Sequence, residues 1–139
     1  MPSFHDSITS NAAPEEVWKF LYDPSRFPDW WARIGVVDIA NDRDYTVYLD
    51  SDPDFPMPHL LGADRDEQRV TVSCLYADLR FEWRLEPSGG GTRISVDVEI
   101  PDRKAHLLDE QREVIHASLQ RLAGLAAVDT AAPAPHRTS

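Results

Sequence analysis

Cysteine, basic side chains and long apolar runs are all scarce in this chain of 139 residues. The single cysteine, Cys74, excludes an intramolecular disulfide framework. No apolar run approaches the length of a membrane span, and the N-terminal residues lack the basic-then-apolar layout of a signal peptide. These absences predict a cytoplasmic protein that does not insert into membranes.

The shortage of basic residues leaves a formal net charge of −10, from 24 acidic and 14 basic side chains. Phosphate backbones and anionic lipid surfaces would be repelled over most of such a surface. The charge therefore argues against a nucleic-acid partner, and its simplest role is to keep the protein soluble. Hydrophobic residues make up 42% of the chain, which is enough for the core of one domain.

The segment from Phe4 to Trp31 is the most informative part of the chain. A strand-like run, Phe4–Thr9, is followed by Pro14 at a first helical position, where the N–H that proline lacks would have no partner anyway. Asp23, which precedes a proline, ends this helix and can cap a second short helix that finishes in two tryptophans.

Apolar and polar residues alternate along several segments in the middle of the chain, which predicts antiparallel strands with one buried and one solvated face. A glycine-rich loop, Pro87–Gly91, would join the last two strands as a hairpin. The predicted strands are Gly35–Ala40, Tyr45–Leu49, Val70–Tyr76, Arg80–Leu85 and Ile94–Ile100.

From about Arg103 to Ala127 the pattern becomes helical, and no proline interrupts it. One face of this helix should look into the sheet and carries Leu108, Gln111, Ile115, Ser118, Leu119, Leu122 and Ala126. Residues 129–139 are polar and proline-bearing, which predicts a disordered tail after a single domain of residues 1–128.

The order of strand, helix pair, antiparallel strands and long helix resembles the SRPBCC or START-like (helix-grip) superfamily, in particular its polyketide cyclase/dehydrase-like branch. The segment Ile8–Trp31, the run Trp83–Pro87 and the helix end Ser118–Ala123 are also typical of these proteins. The resemblance implies an α+β helix-grip fold: a curved antiparallel sheet of about six or seven strands wrapped around the C-terminal helix, with two short helices after the first strand. A cavity between sheet and helix would hold a small apolar molecule.

Candidate ligand contacts follow from this fold and from the strand alternation. The apolar wall would be formed by Phe81 and Trp83, with Trp31 near the entrance, although each could equally be plain core packing. The helix would contribute Gln111, Ile115, Ser118 and Leu122. Two of these have a simpler alternative. Ser118 could bond back to the carbonyl of the residue one turn earlier, and Gln111 could lie at the cavity mouth.

A cyclase needs a donor that polarises a carbonyl and a group that accepts a proton from carbon. Tyr76 follows Cys74 by two residues, so it should share the inward face and is the candidate donor. His59 follows the proline-rich stretch Asp52–Pro58, a candidate cavity rim, and is the candidate base. A tyrosine bonded to a neighbouring strand and an exposed loop histidine are the alternatives. No arginine or carboxylate is expected on the inward strand positions, which predicts a neutral or weakly polar ligand.

Neither a metal nor an organic cofactor is predicted. The alternating oxygens of Asp50–Asp54 lack the glycine and the glutamate that a calcium loop needs. Three functions remain open. One is an enzyme that cyclises or dehydrates a polyketide-like or aromatic ligand, and another is a non-catalytic carrier of a lipid or quinone-type molecule. The third is an interaction module, which would have a collapsed cavity and an exposed apolar patch. A monomer or a homodimer is expected.

Overall fold

A computed structural model describes residues 2–131, and the side chains as far as Val128. Within this part of the chain, seven antiparallel strands form one sheet in the order β1-β7-β6-β5-β4-β3-β2. The strands are β1 (Ser3–Ser10), β2 (Ile34–Ile39), β3 (Asp44–Leu49), β4 (Asp52–Asp64), β5 (Arg69–Cys74), β6 (Leu79–Ser88) and β7 (Gly91–Glu99).

Two short helices, α1 (Pro14–Leu21) and α2 (Phe27–Trp30), follow β1, with a 3-10 turn between them. A 3-10 helix, Asp102–Leu107, leads into the long helix α3 (Leu108–Ala131). This is the predicted helix-grip fold, which is confirmed. Helix α3 extends to Ala131, and the remainder of the predicted tail, residues 132–139, lies outside the described residues.

The helix starts follow the rules from which they were predicted. Pro14 opens α1, and two glutamates in its first turn face the positive end of the helix dipole. The Asp23 side chain accepts a hydrogen bond of 3.1 Å from the backbone N–H of Ser25 and so caps the 3-10 turn. Pro14 therefore marks the start of α1, and Asp23 marks the start of the 3-10 turn that leads into α2.

An aromatic cluster holds α2 against the concave side of the sheet. Its members lie with neighbouring ring centroids 5.0 to 5.4 Å apart, most of them edge to face or tilted. The cluster consists of Phe27, Trp30, Trp31, Phe81 and Trp83. Helix α3 packs against β1, α1 and α2, which leaves the concave face of β3–β5 less covered.

Strand β4 is the main element that the sequence patterns do not predict. It pairs with β3 along most of its length, but with β5 only from His59 to Asp64. The carbonyl of Pro58 accepts a hydrogen bond from Leu75, one residue beyond the end of β5. Pro58 lies at the end of the β4–β5 pairing. The N–H that proline lacks therefore removes no hydrogen bond from the middle of the sheet. A proline-rich segment can therefore be a strand here.

The β6–β7 hairpin turns through Gly89 and Gly90, whose φ angles of 53° and 87° favour glycine. The next residue, Gly91, is constrained by space, since a Cβ atom there would lie 2.1 Å from the carbonyl oxygen of Ser10. The predicted glycine loop is confirmed as this hairpin. In residues 2–131, no helix has both the length and the hydropathy needed to cross a membrane.

Candidate ligand-binding site

A cavity of about 400 Å³ lies between the concave side of the sheet and the first turns of α3. Small-molecule sites in proteins begin at about this size. Most of its lining is apolar, supplied by Trp31, Ala32, Ile34, Val47, Leu49, Met57, Val72, Ala77, Leu79, Phe81, Leu107 and Val114. The remaining lining residues are Arg33, Tyr45, Ser51, His59, Cys74, Tyr76, Lys104, Glu110 and Gln111.

Three of these residues form a row across neighbouring strands. Tyr45 on β3 is paired with His59 on β4, and His59 is paired in turn with Cys74 on β5. Directly paired residues in antiparallel strands project to the same face, so the three side chains lie side by side on the concave surface. All three are buried. The row places polar groups within an otherwise apolar wall.

Tyr45 is the unusual member of this row. Its side chain is 3% exposed, and its hydroxyl finds no hydrogen-bond partner within the described part of the chain. Burial, with a smaller contribution from Cys74, strongly raises the pKa of Tyr45, so the hydroxyl keeps its proton. A buried hydroxyl without a partner costs about 1–3 kcal/mol. An oxygen that accepted a hydrogen bond from this hydroxyl would remove that cost.

His59 lies in the cavity wall and is buried, which agrees with its choice as a candidate facing the cavity and not with the alternative of an exposed loop histidine. Its Nδ1 is 2.9 Å from the carbonyl oxygen of Met57. A carbonyl can only accept, so Nδ1 carries the proton and Nε2 of the neutral ring is an acceptor. Burial lowers the pKa of His59, against a smaller opposing effect of the Met57 bond. The ring is therefore neutral at pH 7.

Cys74 contributes a small apolar surface, as predicted from its inward position. Burial raises the pKa of its thiol. Since the thiolate is the reactive form, this environment disfavours a nucleophilic role.

The predicted inward position of Tyr76 is wrong, because β5 ends at Cys74 and the chain turns before Tyr76. The turn ends at Asp78, whose φ of 57° lies in the left-handed region. The Tyr76 side chain is 55% exposed and packs edge to face against Phe55, with ring centroids 4.9 Å apart. It lies at the cavity mouth rather than in the deep wall.

The predicted helix face divides into two parts. Gln111 lines the cavity and is half-buried, which agrees with the alternative that placed it near the mouth. Ile115 and Leu122 are fully buried in the core and do not line the cavity. Val114 lines the cavity although it was not predicted, and its spacing of three residues from Gln111 was an available signal.

Ser118 also belongs to the core. Its hydroxyl donates a 2.6 Å hydrogen bond to the carbonyl of Val114 and accepts a 2.8 Å bond from the N–H of Ala32. The back-bonded alternative is therefore confirmed, and the predicted contact with a ligand is wrong. Trp83 is likewise buried behind the lining residue Trp31, so it supports the wall without forming it.

Charged residues surround the mouth. Arg33, Lys104 and Glu110 all contribute to the lining, and a guanidinium nitrogen of Arg33 lies 3.5 Å from a carboxylate oxygen of Glu110. The expectation that no cation faces the cavity is wrong, because it considered strand positions, whereas these cations come from the loop before β2 and from the 3-10 helix before α3. Among residues 2–131, no group of three or more histidine, cysteine or acidic side chains could hold a metal ion.

A family model described as polyketide cyclase / dehydrase and lipid transport matches residues 1–127. The chain belongs to this family. Solved structures similar to this family member include the protein XoxI from Bacillus cereus, at 16% sequence identity and a TM-score of 0.73, covering 90% of this chain and 95% of that one. A protein from Nitrosomonas europaea is 17% identical with a TM-score of 0.73, covering 93% of this chain and 96% of that one.

StfQ, a di-domain ARO/CYC from the steffimycin biosynthetic pathway, is 10% identical with a TM-score of 0.71, covering 92% of this chain and 51% of that one. At such identities these likenesses establish the shared helix-grip fold and nothing about chemistry. A comparison with the curated proteins found no match to this polyketide cyclase/dehydrase family member.

Proposed function

We propose that this family member binds a small, largely apolar molecule, aromatic or polyketide-like, in the cavity between the sheet and α3. The observation that carries the proposal is the cavity of about 400 Å³, whose mostly apolar wall includes Tyr45, a residue with a buried hydroxyl that has no partner among residues 2–131. A ligand oxygen that accepts a hydrogen bond from Tyr45 would stabilise both the complex and the protein.

The remaining lining fits such a ligand. Trp31 and Phe81 offer aromatic surface, and Val72 extends the apolar wall beside them. Pockets for small molecules typically combine apolar walls with a few fixed polar groups. Here Tyr45 donates and Nε2 of His59 accepts, so an oxygen-bearing group of the ligand has both kinds of partner. The apolar part of the molecule would lie against Trp31 and Phe81.

Native mass spectrometry of the protein purified from its own host tests binding directly. We expect a retained molecule with an apolar body and at least one oxygen. Val72→Phe, in the cavity wall, should lower its occupancy by filling the space. Val36→Phe is the matched control, because Val36 is exposed on β2 and does not line the cavity. Equal occupancy in wild type and Val72→Phe would contradict the proposal.

A second candidate function is cyclisation of the bound molecule without a cofactor, and the proximity of Tyr45 and His59 favours it. Tyr45 would donate to a ligand carbonyl while Nε2 of His59 takes a proton from the adjacent carbon. The enolate so formed attacks a second carbonyl of the same chain. A carbon–carbon bond forms, and the new alkoxide takes the proton back from His59. Loss of water would follow as a separate step.

Kinetics with a synthetic poly-β-ketone separate the two functions. For an enzyme, Tyr45→Phe and His59→Ala should each lower kcat more than they raise KM. Tyr76→Phe tests the sequence-based hypothesis that Tyr76 is catalytic. From its place at the mouth we expect a change in KM with little change in kcat. A carrier gives no product in any variant, and these substitutions then alter affinity alone.

A further inference from the structure

Lys104 is a cation at the cavity mouth that carries no obvious structural role. It lines the cavity and is half-buried. Its backbone departs from helical geometry, with φ −114° and ψ 17°, within the 3-10 helix that precedes α3. Its Nζ lies 5.7 Å from the ring centroid of Tyr76. This kink and the Tyr76 ring together hold the ammonium group at the opening.

The neighbouring cations are already paired. Arg103 binds the carboxylate of Asp78, and Arg33 lies 3.5 Å from Glu110. For Lys104, no carboxylate within the described residues comes close enough to form an ion pair. A cation–π contact with an exposed ring contributes about 0.5–1 kcal/mol and leaves the ammonium free to bind an anion.

The overall charge makes this position more informative. At a net charge of −10, most of the protein surface repels anions. An anionic group can then approach the cavity only where a local cation offsets that repulsion. The mouth offers Lys104, with Arg33 beside it in a half-exposed and therefore weak ion pair.

We infer that the ligand is an amphipathic acid: an apolar body within the cavity and a carboxylate or similar anionic group at the mouth, bound by Lys104. This inference rests on the proposed function, since it assumes that the cavity takes a ligand. It specifies the chemical class of that ligand and replaces the expectation of a neutral one. Tyr45 and His59 would form hydrogen bonds with an uncharged oxygen of the ligand within the cavity, and Lys104 would bind its anionic group at the mouth.

Two fluorescent probes that differ in one group test the inference. Anilinonaphthalene sulfonate carries an anion, and phenylnaphthylamine is the same aromatic body without it. Dissociation constants for both are measured with wild type, Lys104→Gln, Lys104→Arg and Arg112→Gln. Arg112→Gln is the matched control, because it removes the same charge from an exposed site on α3 that does not line the cavity.

We expect Lys104→Gln to weaken binding of the sulfonate probe about fivefold and to change binding of the neutral probe by less than about twofold. Lys104→Arg should restore most of the sulfonate affinity, and Arg112→Gln should change neither probe. The sulfonate effect should shrink as salt is added.

The outcomes separate the inference from the proposed function. If the neutral probe binds and the dissociation constant of the sulfonate probe is the same in wild type and Lys104→Gln, the amphipathic-acid inference is wrong. The proposal that the cavity binds a ligand is then still supported. An equal loss for both probes, or an equal loss of sulfonate binding in Arg112→Gln, would also overturn it. If neither probe binds to wild type, both proposals fail.

Discussion

At the scale of single residues, the Tyr45 hydroxyl predicts a conflict between stability and binding. Tyr45→Phe should raise the free energy of unfolding of the ligand-free protein by about 1 kcal/mol, because it removes a buried group that has no partner in the described residues. The same change should weaken ligand binding. Urea unfolding measures the first effect. The control is Tyr48→Phe, at a half-buried position three residues further along β3. A destabilised Tyr45→Phe protein would mean that the hydroxyl is satisfied in the free state.

His59 predicts a specific loss of stability in acid. Its folded-state pKa lies below the ordinary value of 6.5, because burial disfavours the charged ring. The unfolded chain therefore binds a proton below pH 6.5 that the folded protein excludes. The free energy of unfolding should fall as the pH drops from 6.5 toward the folded-state pKa of His59. Above pH 6.5, protonation of His59 should cause no further change of stability with pH.

Urea unfolding of wild type and His59→Gln at about pH 7.5 and about pH 5.5 measures this loss. The decrease between the two conditions should be smaller in the variant. An identical decrease in both proteins would show that His59 is not the group responsible.

At the scale of elements, α3 is divided between core and cavity. Leu122 is fully buried and does not line the cavity, so Leu122→Ala should lower the free energy of unfolding by about 2–5 kcal/mol. Probe affinity, measured under conditions in which the variant is folded, should stay unchanged. Val128→Ala on the same helix, at an exposed position, should change stability by less than about 0.5 kcal/mol. A small loss for Leu122→Ala would place that residue beside open space.

Local patterns predicted the elements well where caps and alternation were clear, as at Pro14 and Asp23. They failed where pairing between strands decided the outcome. The proline-rich half of β4 becomes a strand because β3 pairs with it. The alternating pattern extends to Tyr76, but the strand ends two residues earlier, at Cys74, because the chain turns at Leu75–Asp78. As a result, His59 lies on a strand of the cavity wall and Tyr76 lies in the turn at the cavity mouth.

At the scale of the whole molecule, the fold was predictable because many segments agree on it, while the site was not. Tyr45 could be recognised only once the pairing of β3, β4 and β5 was known, since its importance comes from the row it forms with His59 and Cys74. Trp31, Phe81 and Gln111, which the sequence suggests as ligand contacts, lie in the cavity lining. Ser118 and Trp83 do not, because sequence spacing predicts which face of an element a residue occupies but not how deeply that residue is buried.

Ligand binding should be linked to global stability. Phenylnaphthylamine at about one hundred times its dissociation constant should add about 2.7 kcal/mol to the free energy of unfolding of wild type. Val72→Phe should unfold in one cooperative transition whose midpoint does not respond to the probe. Differential scanning calorimetry measures both proteins, and an equal response in the variant would place the bound probe outside the cavity.

The aromatic cluster behind the cavity also gives the protein its own optical reporter. Trp31 forms part of the lining, and its ring centroid lies 5.3 Å from that of Trp30 and 5.1 Å from that of Trp83. At such spacings we expect excitation energy to pass readily between the three indoles, so that their fluorescence and near-ultraviolet circular dichroism are coupled. A molecule that touches Trp31 alone should therefore change the emission of all three. We therefore expect that binding of the proposed ligand can be measured by tryptophan fluorescence of the unlabelled protein.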